Sequence, residues 1–225
     1  MPLFGRRKGR PLSGSRKSAL EKLLPLIEIK NQFAEGDEKI DPRHFFEKNH
    51  EKVFLEIGFG NGEFLAAKHT ENPDYGYIGC EPFVNGISNL LLLLEPQNPD
   101  NIRIWPDDGM YLAQKLADET VDGLFLLNPD PWPKSRHHKR RIINRRNLEI
   151  FARILKPGSP LYLSTDVCDL AEWMAAHVVR HPFFEWEAKT PQDWRTRPRE
   201  LLPTKYQRKG EEEGRRLFFI KALAY

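Results

Sequence analysis

The chain has 225 residues, 40% of them hydrophobic and 11% aromatic, which suits one α/β domain with extensions and excludes a multidomain machine. Two cysteines, Cys80 and Cys168, exclude a disulfide framework, no Cys/His clustering suggests a metal, and no apolar run approaches the roughly 18 residues of a membrane span. The net charge of +3 hides a segregation: residues 1–18 hold six Lys/Arg, residues 134–146 hold seven, neither block has an acid, and elsewhere 22 basic residues face 32 acidic ones.

In chain order, the basic tail at 1–18 lacks the apolar core of a secretory signal and is read as mature sequence of a cytoplasmic protein. Residues 19–29 form an amphipathic helical segment with Leu20, Leu23, Leu24 and Ile27 on one face and a break near Pro25. A polar linker at 30–40 leads to Asp41-Pro42, a cap and first helical position for a short helix to about 48. Strands at 53–57, 77–80, 102–105, 123–127 and 161–164 then alternate with helices at 63–70, 84–94, 110–116, 147–155 and 170–179, and two final strands at 183–187 and 217–223 close the pattern. Short apolar strands separated by helices predict a doubly wound, mostly parallel seven-stranded α/β sheet over 51–225, with 1–50 as a basic helical extension.

Ligands of such sheets collect at the carboxyl ends of the strands. There the first strand runs into Glu56-Ile57-Gly58-Phe59-Gly60-Asn61-Gly62-Glu63, whose Glu63 stands where a dinucleotide fingerprint needs a small residue. A carboxylate at Glu56 repels a pyrophosphate and attracts a cation; S-adenosylmethionine, with its sulfonium and ammonium, fits, and Gly58 and Gly60 admit its methionine end. Glu81 ends the second strand, where a carboxylate accepts both ribose hydroxyls. Asp108 follows the third, placed for an adenine amine, with Asp107 as competitor and a helix N-cap as the plainer role.

After the fourth strand, Asn128-Pro129-Asp130-Pro131-Trp132-Pro133-Lys134 holds a carboxylate in a proline-braced turn, and the second basic block begins at once. Trp132 alone could as well plug the core. Dense local positive charge beside a stiff acidic loop points to a polyanion brought to the site.

This run resembles the tRNA (guanine-N7)-methyltransferase family, whose Glu-Ile-Gly-x-Gly loop, Pro-Asp-Pro-Trp-x-Lys-x-Arg-His-x-Lys-Arg-Arg segment and late Thr-x-aromatic-Glu element are matched between about residues 53 and 214. The second segment stands here as residues 129–141. The resemblance implies a Rossmann-like class I methyltransferase, with S-adenosylmethionine held by residues including Glu56, Gly58, Gly60, Glu81, Asp108 and Asp130. It also implies Asp130 at the methyl-transfer centre, and tRNA met by Lys134, Asp166 and the late element Thr204-Lys205-Tyr206-Gln207. The basic residues Arg136, Lys139, Arg140 and Arg141 would grip its phosphates. Two departures stand out: Gln207 replaces the usual Glu, and Asn128 gives the loop a likeness to amino methyltransferases that act on exocyclic nitrogens. A non-catalytic RNA-binding module is the alternative of a different class. Both a monomer and a homodimer are compatible with the sequence.

Overall fold

A computed structural model describes residues 7, 9–30, 38–95, 99–203, 208, 210 and 212–225. Seven strands form one sheet: β1 (Val53–Ile57), β2 (Gly76–Cys80), β3 (Ile102–Trp105), β4 (Gly123–Leu127), β5 (Pro160–Thr165), β6 (Phe184–Trp186) and β7 (Phe218–Ala224), in spatial order β3-β2-β1-β4-β5-β7-β6. The first five run parallel, and β7 enters antiparallel between β5 and β6, pairing Thr165 with Phe218 and Pro160 with Leu223. Order reverses at β1, so the crevice beyond β1 and β4 is the switch point at which such sheets bind ligands.

Helices α3 (Glu63–Glu71) and α4 (Val84–Leu94) cover one face, while α5 (Gly109–Lys115), α6 (Arg145–Ile154) and α7 (Cys168–Val179) cover the other. The strands are buried along nearly their whole length because helices shield both faces, hence their unbroken apolar runs. Burying a Leu or Phe side chain contributes about 1.5–3 kcal/mol, so rows such as Leu124–Leu126–Ile154 set the register firmly.

The segment expected at 19–29, with its break near Pro25, is two helices, the first of which starts earlier than expected: α1 (Gly14–Lys22), whose N-cap Ser13 accepts from Arg16 N at 3.5 Å, and α2 (Leu24–Ile27). The kink falls at Leu23 because Pro25 has no N–H to continue the ladder. Ala19 and Ile27 pack with Leu90, Leu91, Leu94 and Ile104. Glu28 then bridges to Ile104 at the open edge of β3. The short helix after Asp41 is a single 3₁₀ turn, Pro42–Phe45, ending before the expected 48. Helix α6 begins two residues earlier than expected, since the cap is Asn144, whose Oδ1 accepts from Asn147 N at 3.1 Å.

Candidate active site

The turn after β1 lies against the end of β2: Gly58 N and Phe59 N both donate to Cys80 O, at 2.8 and 3.3 Å. Gly58 and Gly60 adopt φ of 74° and 57°, and a Cβ on either would point into open space. On the other side of the turn, a Cβ on Gly86 would stand 2.2 Å from Gly60 O, so α4 can approach the loop only through a glycine. The loop therefore offers bare backbone to a cavity of about 730 Å³ whose walls include Gly58, Gly60, Glu81, Asp108, Asp130 and Arg140. That volume lies within the range of small-molecule sites.

Each acid of the cofactor end is held differently. Glu81 is fixed by two backbone donors, Gly60 N on Oε2 at 2.8 Å and Phe83 N on Oε1 at 3.0 Å, which partly offset the upward push that burial gives its carboxyl. Glu56, 3% exposed on β1, has Oε2 buried with no hydrogen-bond partner among the described residues. Burial, and then the charge of Glu81, push its carboxyl up to about 8. Such an orphan acid is costly in an apolar surrounding and would be relieved by a cation. Asp108 caps α5 through Met110 N at 2.9 Å and still borders the cavity. Asp107 is engaged by Arg7 at 2.7 Å and by Asp108 N at 2.9 Å, and it borders an adjoining recess of about 460 Å³, which Asp108 also lines, but not the larger cavity. The geometry thus favours Asp108 over its neighbour.

At the other end, Asp130 stands exposed on the cavity rim without a hydrogen bond to any described residue. Its loop is bent by two left-handed residues, Asn128 at φ 52° and Trp132 at φ 43°. Such conformations cost about 1–3 kcal/mol each and persist only when the surroundings impose them. Here Asn128 N donates to Ser164 O at 2.9 Å, extending the β4–β5 ladder, while Arg140 lies 4.9 Å over the Trp132 ring and His137 meets its edge. Trp132 is half-buried at the cavity and is not a core plug.

The basic block coils as a 3₁₀ turn, Ser135–Arg140, that leaves Lys134, Arg136 and Lys139 exposed and Arg140 on the cavity wall. Arg141 departs from expectation. Its side chain is fully buried, Nε donates to Pro131 O at 3.0 Å, the guanidinium lies 5.0 Å over Trp173, and Nη2 pairs with Asp169 of α7. It fastens the Asp130 loop to α7, while its Nη1, buried and without a hydrogen-bond partner among the described residues, is left at the cavity wall. The sequence signal was the apolar pair that follows, Ile142-Ile143, where the chain turns inward.

Asp166 lies beyond β5 with its side chain only 4% exposed, under Arg215, which also meets Glu213 at 3.0 Å. The α7 N-cap is Val167, so Asp166 does not cap that helix. Sequence reasoning overlooked Arg215, which is distant in the chain and follows acidic residues. Thr204, Lys205, Tyr206 and Gln207 lie outside the described residues. Among the described residues no group of His, Cys, Asp and Glu is arranged to hold a metal.

The sequence model of a family described as "Putative methyltransferase" matches residues 50–220. A protein of Rhodospirillum rubrum named tRNA (guanine-N(7)-)-methyltransferase is 39% identical over 217 residues, covering 96% of this chain and 85% of that protein. One of the same name from Bartonella quintana is 41% identical over 224 residues, covering 97% and 94%. Two solved structures share the fold at 15% identity over 78% of this chain and 89% of theirs: an antibiotic-related methyltransferase with a TM-score of 0.53 and the 16S rRNA methyltransferase KamB with 0.54.

Proposed function

The chain belongs to the tRNA (guanine-N7)-methyltransferase family, and we propose that it transfers a methyl group from S-adenosylmethionine to N7 of a guanosine in tRNA. The observation that carries the reading is that a single cavity is lined by Gly58 and Glu81, by Asp130, and by Lys139 and Arg140. Donor, acceptor base and RNA backbone would meet there without a gap.

The residues fit the cofactor. Glu56 offers a buried carboxylate oxygen in need of a cationic partner, and Gly58 and Gly60 leave room for a ligand beside their backbone. When bound, S-adenosylmethionine supplies an electrophilic methyl group on a sulfonium. Glu56 would stabilise the positive methionine end, Glu81 accept from the ribose hydroxyls, and Asp108 accept from the adenine amine while keeping its cap.

N7 of guanine already carries a free lone pair, so no residue needs to remove a proton before transfer. What the protein contributes is placement, which for well-aligned reactants can lower a barrier by about 7–11 kcal/mol. Asp130, braced by two prolines and by Arg141 through Pro131, would accept from the ring N–H and amine edge of the base and stabilise the positive charge the purine acquires. Asp166 would approach the base from the β5 side. Lys134, Arg136, Lys139 and Arg140 would hold phosphates, as would the late element 204–207 from its side. The enzyme would meet tRNA in the cytoplasm; no helix among the described residues is long and apolar enough to cross a membrane.

The test is direct. Incubation with tRNA and labelled S-adenosylmethionine, then nuclease digestion and mass spectrometry, should yield labelled 7-methylguanosine. Label on an exocyclic amine would instead support the reading that Asn128 suggests, and absence of label with retained RNA binding would support the non-catalytic module.

A further inference from the structure

We propose that Arg195 and Arg216 form a second phosphate-binding rim, which extends the surface of the Lys134–Arg140 turn past the start of α7, so that the RNA backbone is held at two patches. The proposal rests on the reading of the chain as a tRNA enzyme and adds a contact surface to it.

The fold brings these two residues to the site edge. Because β7 runs antiparallel to β5, its first residue, Phe218, pairs with Thr165, the residue before Asp166. Arg216 is two positions before Phe218, and Arg195 ends the 3₁₀ turn Asp193–Arg195 with its guanidinium 5.5 Å over the Phe218 ring. Both charges are felt at the thiol of Cys168, the first residue of α7, where they oppose the upward push of burial and of Glu172. In sheet order β7 lies two strand spacings, or about 10 Å, from β4, whose loop carries the first basic turn, and that segment reaches α7 through His138 on Trp173 and Arg141 on Asp169.

Both guanidiniums are exposed, and among the described residues neither pairs with a carboxylate. The nearby acids are committed elsewhere. Asp193 accepts from Lys189 N and Thr190 N at 2.8 and 2.7 Å, Glu200 faces Lys221 and Arg199, and Glu213 faces Arg215. Stacking on Phe218 holds the Arg195 fork in place before any ligand arrives, lowering the ordering cost of a phosphate contact. Local charge counting misses this rim because Arg195 and Arg216 are separated in the chain and each has acids within a few residues.

The test uses the full chain and tRNA. The paired variant Arg195→Ala/Arg216→Ala should bind tRNA at least ten-fold more weakly at moderate salt, and the slope of log affinity against log salt should fall by about one to two units. S-adenosylhomocysteine affinity should be unchanged, which reports an intact fold, and Arg195→Lys/Arg216→Lys should recover the salt slope but only part of the affinity, because lysine keeps the charge without the stacked fork. If the wild type methylates tRNA while the alanine pair keeps both affinity and slope, the second rim is refuted and the functional reading stands. If the wild type neither binds nor methylates tRNA, both fall together.

Discussion

The two ends of the cavity solve the same problem, holding a carboxylate still, by different means. At the end formed by β1, β2 and β3, the acids sit at strand termini and the backbone does the holding: Glu81 between the N–H groups of Gly60 and Phe83, Asp108 on Met110 N. At the end formed by β4 and β5, Asp130 is on a loop and makes no hydrogen bond to any described residue; two prolines, two left-handed residues and a buried arginine hold the chain around it. A ligand of fixed shape can be met by groups that the sheet register already places. A base arriving on a large polymer must be met at the rim, where regular structure has ended and rigidity has to be built from side chains.

The largest expected effect lies at Asp130. Asp130→Ala should lower kcat by about 100- to 1,000-fold, the usual cost of one electrostatic group aimed at a developing charge. Calorimetry with S-adenosylhomocysteine should find cofactor-end affinity nearly unchanged, because Glu81 and Asp108 take their hydrogen bonds from backbone groups outside the Asp130 loop. Equal losses in both would erase the distinction between the two ends.

Next in size is a contrast between neighbours. Arg141→Ala removes a buried charge-assisted hydrogen bond and packing on Trp173, at about 2–3 kcal/mol, or a Tm lower by roughly 4–12 °C for a chain of this size. Arg140→Ala, one residue earlier on the cavity wall, should leave Tm within about 2 °C and raise KM for tRNA several-fold. Thermal melts and tRNA titrations of the two variants decide it; similar melting losses would mean the basic turn is one structural unit.

The sequence revealed the two ends unequally for the same physical reason. The strand positions, the alternation of elements and the places of Glu56, Glu81 and Asp108 follow from apolar runs and from what stands after each, so local pattern suffices. The proline-braced loop is equally plain. Arg141 and Arg140 look identical in composition, and only packing tells that one guanidinium turns inward to Pro131 while the other lies outside on Trp132. Likewise nothing local links Arg215 to Asp166, or Arg195 to Phe218; the antiparallel entry of β7 does. The Pro25 break was legible as a proline, but the helix preceding it, capped at Ser13, was hidden in a stretch read as basic tail.

The finest distinction concerns Glu56, the one acid at the cofactor end whose buried oxygen lacks a backbone donor among the described residues. Its folded carboxyl titrates near 8 against an ordinary 4.5, so between those values the folded chain holds a proton that the unfolded chain releases. Stability of the ligand-free protein should therefore decline as pH rises through that window, by at most about 1.4 kcal/mol per pH unit from this group. Glu56→Gln removes the contribution while Glu81 remains, so the difference between the two melting profiles from pH 5 to 8 isolates it. A cation placed beside Glu56 favours the ionised form, so cofactor binding below pH 8 should expel a proton and tighten as pH rises. Calorimetry in two buffers of different ionisation enthalpy should detect that proton in the wild type and lose it in the variant. Parallel profiles and an unchanged proton count would show that the charge of the ligand is met elsewhere, and the two ends would then differ in geometry alone.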